Sequence, residues 1–203
     1  MKKKLMTANL NKTEKLFIKS EVPFENAHCC SQSTVLLTHD SKKIMLCRGH
    51  TQDILTSLVD LLTKALSNKL ALHESIKKDI GYLYNESQQE NEKAIDEKSA
   101  VRNVWIGEQY CWSANRLGSV WFYNDTKGSI ILEVCPSYPY IWMAQEEDPA
   151  YIPYKEWIKS YKPYLITFFP QDIAKEWLTQ AQLILNTIER NIKKEFNLPE
   201  EEK

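Results

Sequence analysis

The chain has 203 residues, of which 43% are hydrophobic and 26% are charged, and its formal net charge is −1. This length can bury a sizeable core, and the composition is ordinary for a globular protein. A nearly neutral charge creates no global attraction to nucleic acid or to an acidic membrane, so the sequence predicts neither partner. No run approaches the ~18 apolar residues that span a bilayer, and residues 1–10 lack the apolar core of a signal peptide.

The cysteines indicate a reducing environment. Their number, five, is odd, and Cys29 and Cys30 are adjacent, which is a poor geometry for a disulfide between them. We therefore expect free thiols, a cytoplasmic location and, for most of the five, the role of a small buried hydrophobic residue.

The first elements in chain order are predicted strands. Residues 1–13 are rich in lysine and asparagine and are expected to be flexible. Residues 15–21 alternate weakly between apolar and polar side chains, which predicts an edge strand. Residues 34–38 and 43–47 are rich in strand-forming residues and flank a short Asp/Ser turn, which predicts a hairpin.

Two helices are predicted after this hairpin. Apolar residues recur at three- and four-residue steps from Ile54 to Leu66, and Thr51 is the predicted N-cap of this helix. Helical spacing continues over residues 72–86 and predicts a second helix. Residues 86–98 are polar and acidic, and we expect them to form the boundary between two halves of one domain.

The next region predicts a β-meander. Three apolar runs at residues 104–112, 119–123 and 129–135 are separated by turn residues, as in consecutive antiparallel strands. Gly128 is expected to adopt the left-handed conformation that closes the second turn.

The last part of the chain predicts a loop, a short helix, a strand and a long helix. Residues 144–153 are expected to be an irregular loop, residues 154–161 two helical turns, and residues 164–169 a strand. Pro170 opens the final helix, whose apolar stripe continues to Ile192.

The order of these elements predicts an α+β fold. We expect a mainly antiparallel sheet, built from a hairpin and a meander, with amphipathic helices packed on one face. The predicted domain covers residues 14–196, between the flexible N-terminus and a flexible tail at residues 197–203.

Cysteine and histidine residues flank the first hairpin. His28, Cys29 and Cys30 precede it, and Cys47 and His50 leave it. If the hairpin brings its ends together, these residues could bind zinc, although their spacing fits no standard zinc motif. Cys47 with His50, or Cys29 with either His28 or His39, could instead form a thiol nucleophile and its base. We favour unligated residues at a sheet edge, so no metal, cofactor or catalytic residue is predicted.

Two glutamates raise the possibility of carboxylate chemistry. Glu108 and Glu133 lie on the predicted meander among aromatic residues and could act as an acid pair of the glycosidase kind. The alternation of the strand around Glu133 favours a solvent-facing position for that carboxylate instead.

Aromatic residues are the strongest functional signal, because residues 105–164 contain more Trp and Tyr than one small core can bury. In the strand at residues 119–123, Trp121 and Tyr123 point to one face and the remaining large residues to the other. We expect one of these sets to line the helix-covered core and the other to lie on an exposed sheet face or under the loop at residues 138–154. Exposed Trp and Tyr beside the acidic residues 146–148 have the composition of a protein-binding surface.

An aromatic cleft is the alternative arrangement of the same residues. Trp105, Trp112 or Trp121 could line an open cleft and stack against a small ligand or a carbohydrate.

Three runs carry a family resemblance: VWIGEQYCW, then VWFYNDTKGSIILEVCPSYP, then YKEWIKSYKPYL. Together with the closing amphipathic helix, they resemble small bacterial cytoplasmic proteins of the toxin-immunity type. The resemblance covers about residues 101–192 and the segment at residues 79–85.

The resemblance implies a non-enzymatic inhibitor that is encoded beside a toxin and caps the toxin's active site. It carries over no catalytic residue and no cofactor. If the toxin is a basic nuclease, the carboxylates of Glu146, Glu147 and Asp148 would mimic phosphates and accelerate association electrostatically.

The sequence therefore predicts a protein-binding module, of the immunity or antitoxin type, that neutralises a cognate toxin by direct binding. The alternatives are a small hydrolase with a Cys/His or paired-carboxylate site and an aromatic-cleft ligand binder. The sequence indicates no oligomeric state. The predicted contact residues are Trp112, Trp121, Tyr138, Tyr140, Trp142, Glu146, Glu147, Asp148, Tyr151, Tyr154 and Trp157.

Overall fold

The computed structural model describes residues 3–74, 76, 78–87, 100–101, 104–115, 118–140 and 149–196. The chain forms two compact units, unit 1 with Met1–Ser67 and Pro170–Lys203, and unit 2 with Asn68–Phe169. Residues 88–98 of the boundary predicted at residues 86–98 lie outside the described residues. The predicted tail at residues 197–203 lies outside the described residues.

Unit 1 contains a four-stranded antiparallel sheet in which chain neighbours are sheet neighbours. Its strands are β1 (Lys3–Asn9), β2 (Lys15–Ser20), β3 (Gln32–His39) and β4 (Lys42–His50). Two predictions are therefore wrong. Residues 3–9 form a strand instead of a flexible terminus, and β2 is a central strand because β1 pairs along its outer edge.

The predicted hairpin between β3 and β4 is confirmed. Asp40 and Ser41, at its tip, have positive φ angles of 48° and 63°. Two left-handed residues are characteristic of a type I′ turn, whose twist matches that of the two strands it joins.

One face of the unit 1 sheet is apolar and closed to solvent. Register pairs Leu16 with Leu37 and Ile18 with Val35, so the four side chains point to the same face. None of the four has any exposed surface. The opposite face carries Phe17, whose ring is approached by the ammonium groups of two lysines.

The first long helix, α1 (Thr51–Leu66), has the extent that its periodicity predicts. Thr51 is its first helical residue and not its N-cap, which is His50. The hydroxyl of Thr51 donates to the carbonyl of Ser31 at 2.9 Å, so it anchors the preceding loop instead of capping the helix.

The last helix, α5 (Gln171–Glu195), begins after Pro170 as predicted. It packs against α1 and contacts β1, while α1 contacts β3 and β4. Trp177 of α5 is completely buried. Among the described residues, neither α5 nor any other helix is both long and apolar enough to cross a membrane.

Unit 2 contains a second four-stranded antiparallel sheet, in the order β10-β9-β8-β7. The first run of the predicted meander is interrupted in the structure. It begins with a two-stranded ladder and one helical turn before the sheet starts. The two-stranded ladder consists of β5 (Ala100–Val101) and β6 (Val104–Trp105), and the helical turn is α3 (Ile106–Gln109). The four strands of the sheet are β7 (Cys111–Asn115), β8 (Gly118–Asn124), β9 (Ile130–Cys135) and β10 (Leu165–Phe168).

The turn between β8 and β9 has the predicted conformation. Gly128 has a φ of 80°, in the left-handed region that favours glycine. The Asp125 carboxylate accepts the backbone N–H groups of Lys127 and Ser129, each at 2.8 Å.

The second predicted helix is shorter than its periodicity suggests: α2 spans Ile80–Ser87. The chain before it forms sheet-like contacts with the end of β8. The N–H of Asn124 donates to the carbonyl of Leu70 at 2.8 Å, and the N–H of Leu72 donates to the carbonyl of Asn124 at 3.2 Å. These tertiary hydrogen bonds override the helical spacing of the side chains.

The predicted helical turns after residue 153 are confirmed. They consist of α4 (Tyr154–Trp157) and a following 3₁₀ turn at Ile158–Ser160.

Strands β8 and β9 are buried on both faces. All six residues of β9 are buried, and Tyr123 is the one residue of β8 that is partly exposed. Helix α2 packs against both strands and covers the face that carries Trp121. On the other face, Phe122 contacts the rings of Trp112 and Phe169.

Candidate functional site

Five of the predicted contact residues come together in unit 2. The ring centroid of Tyr138 lies 5.7 Å from that of Tyr140 and 5.4 Å from those of Tyr154 and Trp157. The ring of Tyr151 lies 5.0 Å from that of Tyr140. Most of these contacts are edge-to-face, the arrangement that aromatic quadrupoles prefer.

Two further residues, which the sequence prediction did not include, extend this group. The ring of Tyr161 lies 5.7 Å from that of Trp157, and the ring of Tyr82 lies 5.6 Å from that of Tyr161. The separation of four residues between Trp157 and Tyr161 was the available signal, because it places both rings on one side of a helical segment. The seven residues, here called the aromatic cluster, are Tyr82, Tyr138, Tyr140, Tyr151, Tyr154, Trp157 and Tyr161.

The aromatic cluster has a buried centre and a partly exposed periphery. Tyr138 is 2% exposed, whereas the other six side chains are half-buried. The Tyr138 hydroxyl donates to the carbonyl of Ile152 at 2.9 Å, and burial raises the pKa of Tyr138 to about 12. Ile152 itself is 49% exposed, so an open aliphatic side chain adjoins the rings.

Helix α2 fixes the chain that carries the centre of the cluster. The side-chain amide of Asn85, which is completely buried, accepts the N–H of Tyr138 at 2.7 Å. The same amide donates to the carbonyls of Pro136 at 3.1 Å and Gly81 at 2.7 Å. The hydrogen bonds to Pro136 and Tyr138 tie the segment after β9 to α2, and the bond to Gly81 holds the Asn85 side chain against its own helix.

Three predicted contact residues are less exposed than expected. Trp121 has no exposed surface, and Trp112 and Tyr138 are 6% and 2% exposed. The ring of Tyr84 in α2 lies 5.1 Å from that of Trp121, and the Trp121 indole donates to the Ser119 hydroxyl at 2.9 Å. The expectation of an exposed surface is therefore wrong for these three residues, because α2 covers Trp121 and neighbouring rings cover the other two.

The remaining predicted contact residues, Trp142, Glu146, Glu147 and Asp148, lie outside the described residues. The side chain of Trp105 is likewise not described. Since Trp112 and Trp121 are buried, neither contributes an open wall to the aromatic cleft of the ligand-binder alternative.

Unit 2 also contains a buried carboxylate at Glu133. Its oxygens accept the N–H groups of Gly81 at 2.7 Å and Ile80 at 3.3 Å, both in the first turn of α2. They also accept the hydroxyl of Tyr123 at 3.3 Å and the thiol of Cys135 at 3.1 Å. The free N–H groups and the positive dipole end of the first helical turn offset part of the cost of burying a carboxylate at this position.

The surroundings of Glu133 shift several ionisation equilibria. Burial raises the pKa of Glu133 above its usual range, although the backbone N–H groups act in the opposite direction. Burial likewise raises the pKa values of Cys135, Tyr123 and Tyr161, and the hydroxyl of Tyr161 lies beside the thiol of Cys135. The arrangement favours neutral thiols and phenols, which suits a core network better than nucleophilic catalysis.

The solvent-facing position expected for Glu133 is wrong, because the side chain has no exposed surface. The strand does alternate, but α2 covers the face that alternation assigns to solvent. The side chain of Glu108, the other member of the possible acid pair, is not described.

The two halves of the predicted Cys47/His50 pair do not share a face. Both residues lie in β4, three positions apart, and side chains three apart in a strand point to opposite faces. Cys47 is buried, and Nδ1 of His50 lies 3.0 Å from Nε2 of Gln32. This geometry favours neither a nucleophile and base at these positions nor a zinc site that includes both.

The other predicted Cys/His group does come together. Residues 28–31 form a turn in which the N–H of Ser31 donates to the carbonyl of His28 at 2.9 Å. Sγ of Cys29 lies 3.2 Å from Nδ1 of His28 and 3.7 Å from Sγ of Cys30. Among the described residues, these three form the one group of histidine, cysteine and acidic side chains close enough together to hold a metal ion.

We find no protein-family model that matches this chain, and no match among curated proteins or among solved structures.

Proposed function

We propose that this protein is a binding module that neutralises a cognate bacterial toxin by direct contact, and that the aromatic cluster of unit 2 is its contact surface. The observation that carries the proposal is the cluster itself. Six half-buried rings are linked to the buried Tyr138, either directly or through one another, and the Tyr138 hydroxyl donates to the carbonyl of the exposed Ile152.

The composition of the cluster suits protein recognition. Tyr and Trp supply large, rigid contact areas with hydroxyl or indole groups at the rim, and they are enriched among the residues that dominate interface energies. Each ring loses little conformational freedom on binding, because edge-to-face neighbours already hold it.

The ordered backbone that carries the aromatic cluster also supports its role as a binding surface. Asn85 fixes the backbone at Pro136 and Tyr138, and Pro153 precedes the short helix that carries Tyr154 and Trp157. A surface whose backbone is ordered before binding avoids part of the entropic cost of association.

The class of partner rests on the sequence. Residues 101–192 resemble immunity-type proteins, which bind toxins encoded beside them. The acidic residues 146–148 follow the Tyr138–Tyr140 segment in the chain. Their charge would attract a basic toxin and raise the association rate more than it lowers the dissociation rate.

The proposal is tested by co-expressing the protein with each product of a flanking gene. We expect one such product to be toxic alone, growth to be restored by this protein, and a stoichiometric complex to co-purify. If no flanking product is toxic and none co-purifies, the inhibitor proposal is wrong.

The contact surface is tested in the same assay with the substitutions Tyr151→Ala and Trp157→Ala. Both rings are partly exposed, so the variants should fold while losing rescue of growth. Phe196→Ala is the matched control, since Phe196 is a 63% exposed aromatic residue of unit 1. Rescue that survives both unit 2 substitutions would place the contact elsewhere.

A further inference from the structure

The turn at residues 28–31 brings a histidine and two cysteines together in unit 1. The three potential ligand atoms lie within 4.8 Å of one another. From this geometry we infer that His28, Cys29 and Cys30 form a binding site for a zinc ion, with a fourth coordination position open to water.

Two of the distances among the ligand atoms, both from Sγ of Cys29, are close to those of tetrahedral zinc. Two thiolates at the usual zinc–sulfur distance of about 2.3 Å stand about 3.8 Å apart when the angle at zinc is tetrahedral. The two sulfur atoms of Cys29 and Cys30 are 3.7 Å apart. The separation of 3.2 Å between Cys29 Sγ and His28 Nδ1 is slightly shorter than the corresponding edge of about 3.5 Å.

The second nitrogen of His28 has the partner that a metal-bound imidazole requires. The carboxylate of Glu195, at the end of α5, lies within hydrogen-bond reach of His28 Nε2. Metal-bound histidines usually direct their other ring nitrogen to a carboxylate or carbonyl, which fixes the tautomer and the ring orientation. Nδ1 is thereby left facing the thiols. Glu195 is a positioning residue in this site.

The backbone of the turn is held from both sides. The N–H of His28 donates to the Ser31 hydroxyl at 2.9 Å, and the Ser31 carbonyl accepts the N–H of Thr51 at 2.7 Å. On the other side, Asn191 of α5 donates to the carbonyl of Ala27 at 2.8 Å. Binding of zinc would therefore require little rearrangement of the chain.

The exposure of the turn explains the open position. Cys30 is exposed, whereas His28 and Cys29 are half-buried. Three protein ligands with a water in the fourth position form an exchangeable type of site, unlike the closed four-ligand sites that are purely structural. On binding, each thiol loses its proton to solvent, so one zinc ion replaces two protons.

A thiol nucleophile is the competing interpretation, since Cys29, His28 and Glu195 also resemble a nucleophile, a base and an orienting carboxylate. That mechanism assigns no role to Cys30. A metal site needs the second thiol at the position where Cys30 lies.

The site is tested with the full-length reduced protein and with zinc and cobalt ions as probes. We expect one equivalent of Zn²⁺ to bind, and Co²⁺ to give the thiolate charge-transfer band and the intense visible bands of a tetrahedral site. Cys29→Ser and Cys30→Ser should each weaken zinc binding at least about 100-fold, and Glu195→Gln about 10-fold. Cys111→Ser is the control, because Cys111 is a half-buried cysteine of unit 2.

Alkylation separates the competing interpretations. Zinc should protect both Cys29 and Cys30 from iodoacetamide. The inference is overturned by absence of zinc binding, by unchanged affinity in the two serine variants, or by selective alkylation of Cys29 that zinc does not slow. Formation of a Cys29–Cys30 disulfide in place of metal binding, seen as the loss of two hydrogens in the mass, would overturn it as well.

Discussion

The two units use the same sheet topology with different interiors. Each has four antiparallel strands in meander order. In unit 1 the buried face holds aliphatic side chains such as Leu16 and Val35, and the other face carries Phe17 under lysine side chains. In unit 2 both faces of β9 are buried, and the buried set includes the carboxylate of Glu133.

The buried carboxylate of Glu133 shows how a polar group can determine where a helix packs on a sheet. A buried carboxylate is tolerated only where several donors replace water, and the first turn of α2 supplies two of them to Glu133. The network therefore specifies where α2 lies on the sheet. Asn85, one turn later in α2, then fixes the segment that carries the aromatic cluster. In unit 1 the helices pack mainly on apolar side chains, and a buried hydrogen bond of 2.8 Å between the hydroxyls of Ser33 and Thr51 links β3 to α1.

Replacing one glycine by alanine in each unit is expected to give the largest difference between the units in the free energy of unfolding. A Cβ at position 81 would lie 2.4 Å from Sγ and 2.6 Å from Cβ of Cys135, so Gly81→Ala requires the α2 backbone to move. We expect a loss of about 3 kcal/mol in the free energy of unfolding. Urea unfolding monitored by tryptophan fluorescence measures it, since every tryptophan except Trp177 belongs to unit 2.

The control is Gly49→Ala in unit 1, where the new Cβ would meet only Ile54 Cδ1, at 3.9 Å. Its effect should stay within about 0.5 kcal/mol. Equal effects of the two substitutions would contradict the close approach of α2 to β9.

The second largest change in the free energy of unfolding is expected for a substitution of the buried Glu133. Glu133→Gln places an amide NH₂ group where an oxygen accepts hydrogen bonds, so two donors lose their partner. We expect a loss of about 2 kcal/mol in the free energy of unfolding. The comparable substitution in unit 1 is Glu14→Gln, at an acid that is 8% exposed and lies 2.7 Å from Nδ1 of His39. It should cost about 1 kcal/mol. A stable Glu133→Gln variant would show that the network does not position α2.

A smaller effect is a pH dependence that belongs to unit 2. Because burial raises the pKa of Glu133, the folded state retains a proton at pH values where the unfolded state has lost it. The free energy of unfolding should therefore fall as pH rises from about 4.3, the usual value for glutamate, through the folded-state pKa.

Urea unfolding of wild type and Glu133→Gln at pH 5 and pH 8 isolates this contribution, because other ionisable groups are common to both proteins. We expect the difference between the two proteins to decrease towards pH 8. A difference that is constant or increases with pH would indicate a pKa that folding leaves unchanged or lowers.

The smallest changes in the free energy of unfolding are expected for surface ion pairs, and they should be similar in the two units. Lys159 and Glu156 in unit 2 form an ion pair at 2.7 Å, as do Arg48 and Glu21 in unit 1, and all four side chains are well exposed. Glu156→Ala and Glu21→Ala should each change the free energy of unfolding by less than about 0.5 kcal/mol. A clearly larger effect in one unit would show that the difference between them extends beyond their interiors.

Local signals in the sequence predicted most of the elements. The periodicity of α1 and α5, the β3–β4 hairpin and the left-handed Gly128 depend on neighbouring residues, and these predictions are confirmed. The α+β class follows from the order of such elements.

The wrong structural predictions share a physical cause, because in each case the residues contact parts of the chain that are distant in sequence. The segment before α2 has helical spacing, but hydrogen bonds to Asn124 fix it as extended chain. Glu133 alternates like a solvent-facing residue, but α2 covers it. Strand β1 begins with two lysines and lacks a clear alternation, and its pairing with β2 decides its conformation.

The candidate site was predicted in part for the same reason. The density of Tyr and Trp indicated the region, and five of the predicted residues belong to the aromatic cluster. Local pattern could not distinguish a ring at the surface from one under a helix, which is why Trp112 and Trp121 were misassigned as exposed.

Hydrogen–deuterium exchange on the complex with the co-purifying protein tests the central claim most directly. If the aromatic cluster is the contact surface, amides at residues 138–140 and 149–161 should exchange more slowly in the complex, while β1–β4 of unit 1 remain unchanged. Protection confined to unit 1, with the cluster exchanging as in the free protein, would contradict the proposed surface.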